Sequence, residues 1–176
     1  MFFYLSLIET DEERSKFEEI YYEYKDLMYY VAFDILKDNV GAEDAVHDAF
    51  LKIINILEKI DDVKCPKTKS LIVIIVKRTA IDEYRSRKRK QTLRLDDDAV
   101  TLSTEAELDK LEIGTSIQKA ILKLPDKYRD VLMLKYDNEL SDVEISALTG
   151  MSVSNVRKTV YRAKQRLGEI LKEMDL

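Results

Sequence analysis

Tryptophan is absent from the 176 residues, and cysteine and histidine occur once each, as Cys65 and His47. One cysteine excludes an internal disulfide, and one histidine removes most zinc and catalytic-triad chemistry. No cofactor site is expected. The lone thiol suits a reducing, intracellular compartment. Turn-forming residues are also scarce, with 4 Gly and 2 Pro. That scarcity, together with 36% charged residues and repeated helical periodicity, points to an all-α protein. Long hydrophobic runs are missing too. The longest, Leu71 to Val76, is far short of the roughly 20 residues that span a bilayer. The apolar start MFFYLSLIE has no basic flank or small-residue cleavage site and soon meets Asp11, Glu12 and Glu13, so it does not read as a signal peptide. No membrane insertion is expected, and a cytoplasmic place follows.

Charge is present in quantity but segregated. The net charge of -5 and a pI near 5.1 argue at first against a nucleic-acid partner. Residues 1–60 carry net -8, 61–94 net +7, 95–113 net -6 and 114–176 net +2. Because salt screens charge over roughly 8 to 10 Å, each patch acts locally. The two positive segments are the candidates for contact with phosphates.

Thr10 with Glu13 forms a capping box for a first helix, whose stripe Phe17, Ile20, Tyr21, Tyr24, Leu27, Met28, Val31 and Ile35 runs to about Leu36. Asp38, Asn39 and Gly41 should end it. A second helix, from Ala42 to about Ile60, buries Ala45, Val46, Ala49, Phe50, Ile53, Ile54 and Leu57 and presents Glu43, Asp44, His47, Asp48 and Lys52. Residues 61–69 form a basic loop, with Pro66 holding Cys65 extended. The run LIVIIV would pass locally for a strand. It has no partner strand, and the pattern continues into Ala80, Ile81 and Tyr84 without a turn, so a helix from about Thr68 to Lys88 is predicted. From Gln91 to Glu105, with Asp96, Asp97 and Asp98 in a row, the chain has the character of a linker. Beyond it a helix around Glu105 to Leu124, interrupted near Gly114, precedes a helix started by Pro125.

The segment SDVEISALTGMSVSNVRKTVYRAKQRL, Ser141 to Leu167, carries the most specific signal. Ser141 and Glu144 form a second capping box, Ser146 is small enough for close helix crossing, and Gly150 stands where a turn needs positive φ. Met151 and Val153 pack inward. Ser154 should cap the next helix, which buries Val156, Val160, Ala163, Leu167 and Ile170. Its other face holds Asn155, Arg157, Lys158, Tyr161, Arg162, Gln165 and Arg166, with no acidic residue between Asn155 and Leu167. This is the pattern of a helix-turn-helix that enters the major groove. Basic amphipathic helices without a ligand are common, so the motif alone does not decide the function.

Taken together, the chain resembles bacterial sigma factors of the extracytoplasmic-function (ECF) type in the sigma-70 family, over nearly its whole length. AEDAVHDAFLKI, Ala42 to Ile53, is similar to the helix that docks such factors on the β′ coiled coil of core RNA polymerase, which assigns Asp44, His47, Asp48 and Lys52 to docking. IVKRTAIDEYRSRKRK, Ile75 to Lys90, resembles the helix that engages the minus-ten promoter element, and implies DNA contact by Lys77, Arg78, Arg85, Arg87, Lys88 and Arg89. Leu124 to Leu167 is similar to the domain that reads the minus-thirty-five element, which implies contact by Ser154, Asn155, Arg157, Lys158, Arg162 and Arg166. The implied domains are 1–90, an acidic linker 91–113 and 114–176. The implied partners are core polymerase (β′ coiled coil and β flap), promoter DNA and an anti-sigma factor. Leu71 stands where the family usually has tryptophan, and Arg78 where asparagine is frequent. The loop 61–69 would hold the family's pocket for an unstacked base, though it has no aromatic residue to stack on one.

The chain is not expected to be an enzyme. Glu43, Asp44 and His47 could be imagined as an acid-base or metal site, but one histidine beside two acids on an exposed helix is ordinary surface chemistry. A stand-alone regulator using the same helix-turn-helix would leave the acidic and basic helices of the first half without a task. An adaptor built on the first half would need neither the basic end of Lys77 to Lys90 nor a groove-reading helix.

Overall fold

A computed structural model describes residues 1–92 and 116–174, and among these the chain is helical with no strand. Eight α-helices appear among the described residues: α1 (Phe2–Leu5), α2 (Asp11–Leu36), α3 (Asn39–Ile54), α4 (Pro66–Thr92), α5 (Ser116–Leu122), α6 (Asp126–Leu132), α7 (Asp142–Thr149) and α8 (Val153–Met174). By their contacts the residues divide into two compact units. Helices α1 to α4 make the first; α5, α6, α8 and the part of α7 up to Ser146 belong to the second. The predicted acidic linker with Asp96 to Asp98, and the helix from Glu105 as far as 115, lie outside the described residues.

In the first unit α2, α3 and α4 pack against one another. Thr10 caps α2, its hydroxyl oxygen accepting from the Glu13 N–H at 3.2 Å while the hydroxyl donates to the Glu13 carboxylate at 2.9 Å. Phe17, Ile20, Met28, Phe50, Ile53, Leu57, Ile60, Leu71, Ile72 and Ile75 are fully buried and form the centre of this core. Removing such side chains from water supplies about 1.5–3 kcal/mol each, which is what holds three helices of mixed polarity together. The Tyr24 hydroxyl donates to the Val63 carbonyl at 2.6 Å and ties the loop before α4 to α2.

Helix α3 starts and stops earlier than predicted. Lys37 turns the chain out of α2 with φ 53°, and Asp38, rather than ending α2, caps α3 by accepting from the Gly41 N–H at 2.9 Å. Gly41 is therefore inside the first turn of α3. At the other end the Asn55 amide donates to the Leu51 carbonyl at 3.0 Å, the helix stops at Ile54, and a short 3₁₀ turn spans Leu57–Lys59. Competition of this kind from a short amide side chain is a known helix terminator.

The run LIVIIV is helical, within α4. Leu71, Ile72, Ile75 and Val76 are all buried, and β-branched residues accept a helix when packing on every side compensates for their weak propensity. Pro66 is the first residue of α4, where its missing N–H costs nothing, so the helix starts before the predicted Thr68 and runs on through the predicted linker start to Thr92.

The N-terminal apolar residues also have a structural use. Helix α1 lays Tyr4 into an aromatic cluster with Phe17, Tyr21 and Phe50, at ring-centroid distances of 5.3, 6.2 and 5.5 Å.

In the second unit α5 and α6 pack on α8. Its core holds Ala120, Leu124, Leu132, Ala163 and Ile170, with Tyr128, Leu167, Leu171 and Met174 around it. After α6 a π-helical turn, Met133–Asp137, leads to Asn138, which returns both its backbone and side-chain N–H to the Met133 carbonyl.

Candidate polymerase and nucleic-acid interfaces

The face of α3 assigned to docking is largely acidic and open. Asp44, His47 and Asp48 are exposed, as is Glu43. His47 is nonetheless not isolated. The Tyr4 hydroxyl and His47 Nδ1 share a hydrogen bond of 2.7 Å, and the Phe3 and Tyr4 rings lie 5.7 and 5.3 Å from the imidazole. An acid-base site made of Glu43, Asp44 and His47 would have one ring nitrogen already engaged. Lys52 differs from its neighbours: it is half-buried, donates to the Thr79 hydroxyl at 3.0 Å, and has its pKa lowered by desolvation. Its ammonium therefore faces α4.

The basic residues of α4 occupy different environments. Arg85 and Arg89 are exposed; Lys77, Arg78, Arg87 and Lys88 are half-buried. Arg87 is held by two carboxylates, donating to Asp38 and to Glu83 at 2.7 Å each. The hydrogen bond from Arg87 pulls the Asp38 pKa below the ordinary carboxylate range, helped by the Gly41 N–H. Leu71 is buried in the core, so nothing at that position is presented to DNA. The loop before α4 is closed on itself: the Thr68 hydroxyl donates to the Asp62 carbonyl at 2.7 Å, and the Asp62 carboxylate accepts from the Lys64 N–H at 3.0 Å.

The helix-turn-helix is formed by α7 and α8. The capping box at its start is reciprocal: Ser141 N–H donates to the Glu144 carboxylate at 2.6 Å and Glu144 N–H to the Ser141 hydroxyl at 3.2 Å. Gly150 takes φ +69° in the turn. Ser146 does more than save space, because its hydroxyl donates across the turn to the Met151 carbonyl at 2.6 Å.

Ser154 does not cap α8. Ser152 precedes the first helical residue, Val153, and accepts from the Asn155 N–H at 3.3 Å, so Ser154 sits inside the first turn with its side chain exposed. Two serines in such proximity are ambiguous in sequence, and the one outside the helical backbone makes the cap.

On α8 the buried stripe is Val156, Thr159, Ala163 and Ile170, with Val160 and Leu167 half-covered. Asn155, Lys158, Arg162 and Arg166 are exposed and recur at steps of three and four, which aligns them as one row. Arg157 stands off that row and donates to Asp142 in the first turn of α7 at 3.0 Å; Lys135 holds the same carboxylate at 2.9 Å. These hydrogen bonds, the one from Lys135 first, lower the Asp142 pKa. Arg166 pairs with Glu169 at 2.8 Å, and Lys164 lies 4.7 Å over the Tyr136 ring, bracing α8 on the π turn. Among the described residues no helix is long and apolar enough to cross a membrane.

Comparison with known proteins agrees in both units. A family model of sigma-70 region 2 matches residues 20–90, and one of sigma-70 region 4 matches residues 115–167. The ECF RNA polymerase sigma factor SigW of Bacillus subtilis (strain 168) is 30% identical, with 92% of this chain and 92% of that protein covered. RNA polymerase sigma-E factor of Streptomyces antibioticus is 31% identical, with coverage of 92% and 87%. The chain belongs to the sigma-70 family, in its extracytoplasmic-function group, and is a sigma factor that directs transcription initiation.

Proposed function

We propose that the two units divide promoter recognition between them, with the first also attaching the chain to core polymerase. Asp44, His47 and Asp48 on α3 form the docking face for the β′ coiled coil, with Lys52 fixing α3 to α4 beneath it. The basic end of α4 meets the minus-ten element as its strands part, through Lys77, Arg78, Arg85, Lys88 and Arg89. The row Asn155, Lys158, Arg162 and Arg166, with Ser154 and Arg157 at its start, enters the major groove at the minus-thirty-five element. Asn155 and Lys158, nearest the helix N-terminus, are placed for base edges; Arg162 and Arg166 suit the backbone. For Arg157 to reach a base it must share or leave Asp142.

The observation that carries this assignment is the separation of function by face on α8, where an exposed row of amide and cationic side chains runs beside a buried stripe. The chemistry of RNA synthesis belongs to the polymerase, so the chain acts without catalysis of its own and in the compartment of its polymerase, the cytoplasm. The domain limits that go with it are 1–90 and 114–176, with the acidic stretch 91–113 joining them. An anti-sigma factor is a further partner of the same class.

Co-elution with bacterial core RNA polymerase tests the docking face. The unmodified chain is expected to co-elute and the Asp44→Ala, Asp48→Ala double variant to be lost from the complex while keeping its melting temperature. Retention of the double variant would move docking away from α3.

A further inference from the structure

The six basic candidates on α4 do not share one face. At roughly 100° per residue, Lys77, Arg78, Arg85, Lys88 and Arg89 fall within an arc of about 120°. Arg87 falls on the far side. It continues the stripe of Ile72, Val76, Thr79 and Ala80, which are buried against the rest of the first unit, and Glu83 lies between them on the same line. The contacts follow from that placement. The Arg87 guanidinium donates to Asp38 and to Glu83, and it covers Gly41 so closely that a Cβ there would stand 2.5 Å from one of its nitrogens. The same Asp38 oxygen that accepts from Arg87 also accepts from the Gly41 N–H at the start of α3. One carboxylate oxygen thus joins the first turn of the helix assigned to docking to the basic end of the helix assigned to the minus-ten element. Gly41 adopts no unusual backbone conformation, and a side chain there would oblige the guanidinium to shift.

We infer that Arg87 is a positioning residue and not a DNA contact: with Asp38 and Gly41 it locks the end of α4 on the α2–α3 corner, so that Arg85 and Arg89 face the strand. This rests on the proposed role of α4 in strand binding. Loss of the lock lets the end of α4 swing, and the outward arginines lose their register without any loss of charge from the row they form.

The test is binding of the full-length chain to a single-stranded dT20 probe, followed by fluorescence anisotropy over a salt series, well below the melting temperature of each variant. Arg85→Gln is expected to lower the salt slope by about 0.7, the value for one phosphate contact on a single strand. Arg87→Gln and Asp38→Asn are each expected to weaken binding several-fold with the slope unchanged, and their double variant to be no weaker than either. Asparagine keeps an oxygen to cap α3, so Asp38→Asn removes the charge that holds Arg87 and leaves the cap. Gly41→Ala displaces Arg87 without removing it and should behave alike, which covers the case in which Arg87→Gln fails to fold. A slope lowered by Arg87→Gln as much as by Arg85→Gln, with Asp38→Asn binding as tightly as the unmodified chain or more so, overturns the inference in favour of direct contact. Binding and slope both unmoved by Arg87→Gln also overturn it. Absence of salt-dependent binding by the unmodified chain instead removes the strand-binding role of α4 on which the inference stands.

Discussion

Helix α8 runs its basic row beside a narrow buried stripe, whereas α4 is buried on almost every side over residues 71–76 and basic at its end. On α8 each residue serves either the core or the outer face, and the two tasks alternate with the helical period. On α4 the tasks are separated along the axis, and where they meet, Glu83 and Arg87 extend the core-facing line with charged residues that pair with each other and with Asp38. A cluster of arginines and lysines is therefore informative about DNA only after those on the inward line have been set aside.

The largest expected effect separates the two units by their cores. Phe50→Ala should cost about 3–5 kcal/mol in the first unit, as truncation of a fully buried aromatic side chain does. Denaturant unfolding followed by amide exchange should show protection lost from α2, α3 and α4 and kept in α8; loss in both would mean that the cores are not independent. Next, Asn155→Ala should relax base preference at one position of the upstream element by about 1–3 kcal/mol, whereas Arg162→Ala should lower affinity for all sequences and reduce the salt slope. Equal behaviour of the two in a binding-site selection would break the proposed division of the α8 row.

Smaller effects sharpen the account of how each helix is started. Ser152→Ala should lower stability by about 0.5–2 kcal/mol, and Ser154→Ala by clearly less, because only Ser152 caps α8. Thermal melting of the pair decides it.

The smallest effects are on pH dependence. Burial and the neighbouring acidic groups push the Tyr24 pKa up to about 12. Folding therefore favours the neutral phenol, and its contribution is complete below the ordinary tyrosine range and lost as pH rises through it toward about 12. Asp142 has the opposite sign. Its lowered pKa contributes stability above the ordinary carboxylate range, which disappears as pH falls through the lowered value. Tyr24→Phe should flatten the alkaline limb and Asp142→Asn the acid limb of a melting-temperature profile.

Most of this organisation was legible in the sequence. Both capping boxes, the positive-φ glycine of the turn and the stripe on α8 follow from local chemistry that tertiary packing does not alter. LIVIIV was legible as a helix through the absence of a partner strand and the continuation of the pattern into Ala80, Ile81 and Tyr84 without a turn. What remained hidden depends on contacts distant in sequence. Nothing near Gly41 announces an arginine 46 positions later, and the apolar residues at the N-terminus reveal the place of Tyr4 only when Phe17, Tyr21 and Phe50 are brought together. The choice between Ser152 and Ser154 was lost to a two-residue ambiguity. Lys52 and Arg87, read as outward cations, needed α3 and α4 side by side before their internal partners could be seen.

The most direct measurement is transcription from a library of randomised promoter templates by core polymerase with and without the chain. Transcripts that depend on the chain should come from templates sharing two elements at fixed spacing, with the upstream preference relaxed by Asn155→Ala and the chain-dependent signal abolished by the Asp44→Ala, Asp48→Ala pair. Transcripts that depend on the chain but share no upstream element, or an unchanged signal with the docking pair, would contradict the division of labour between the two units.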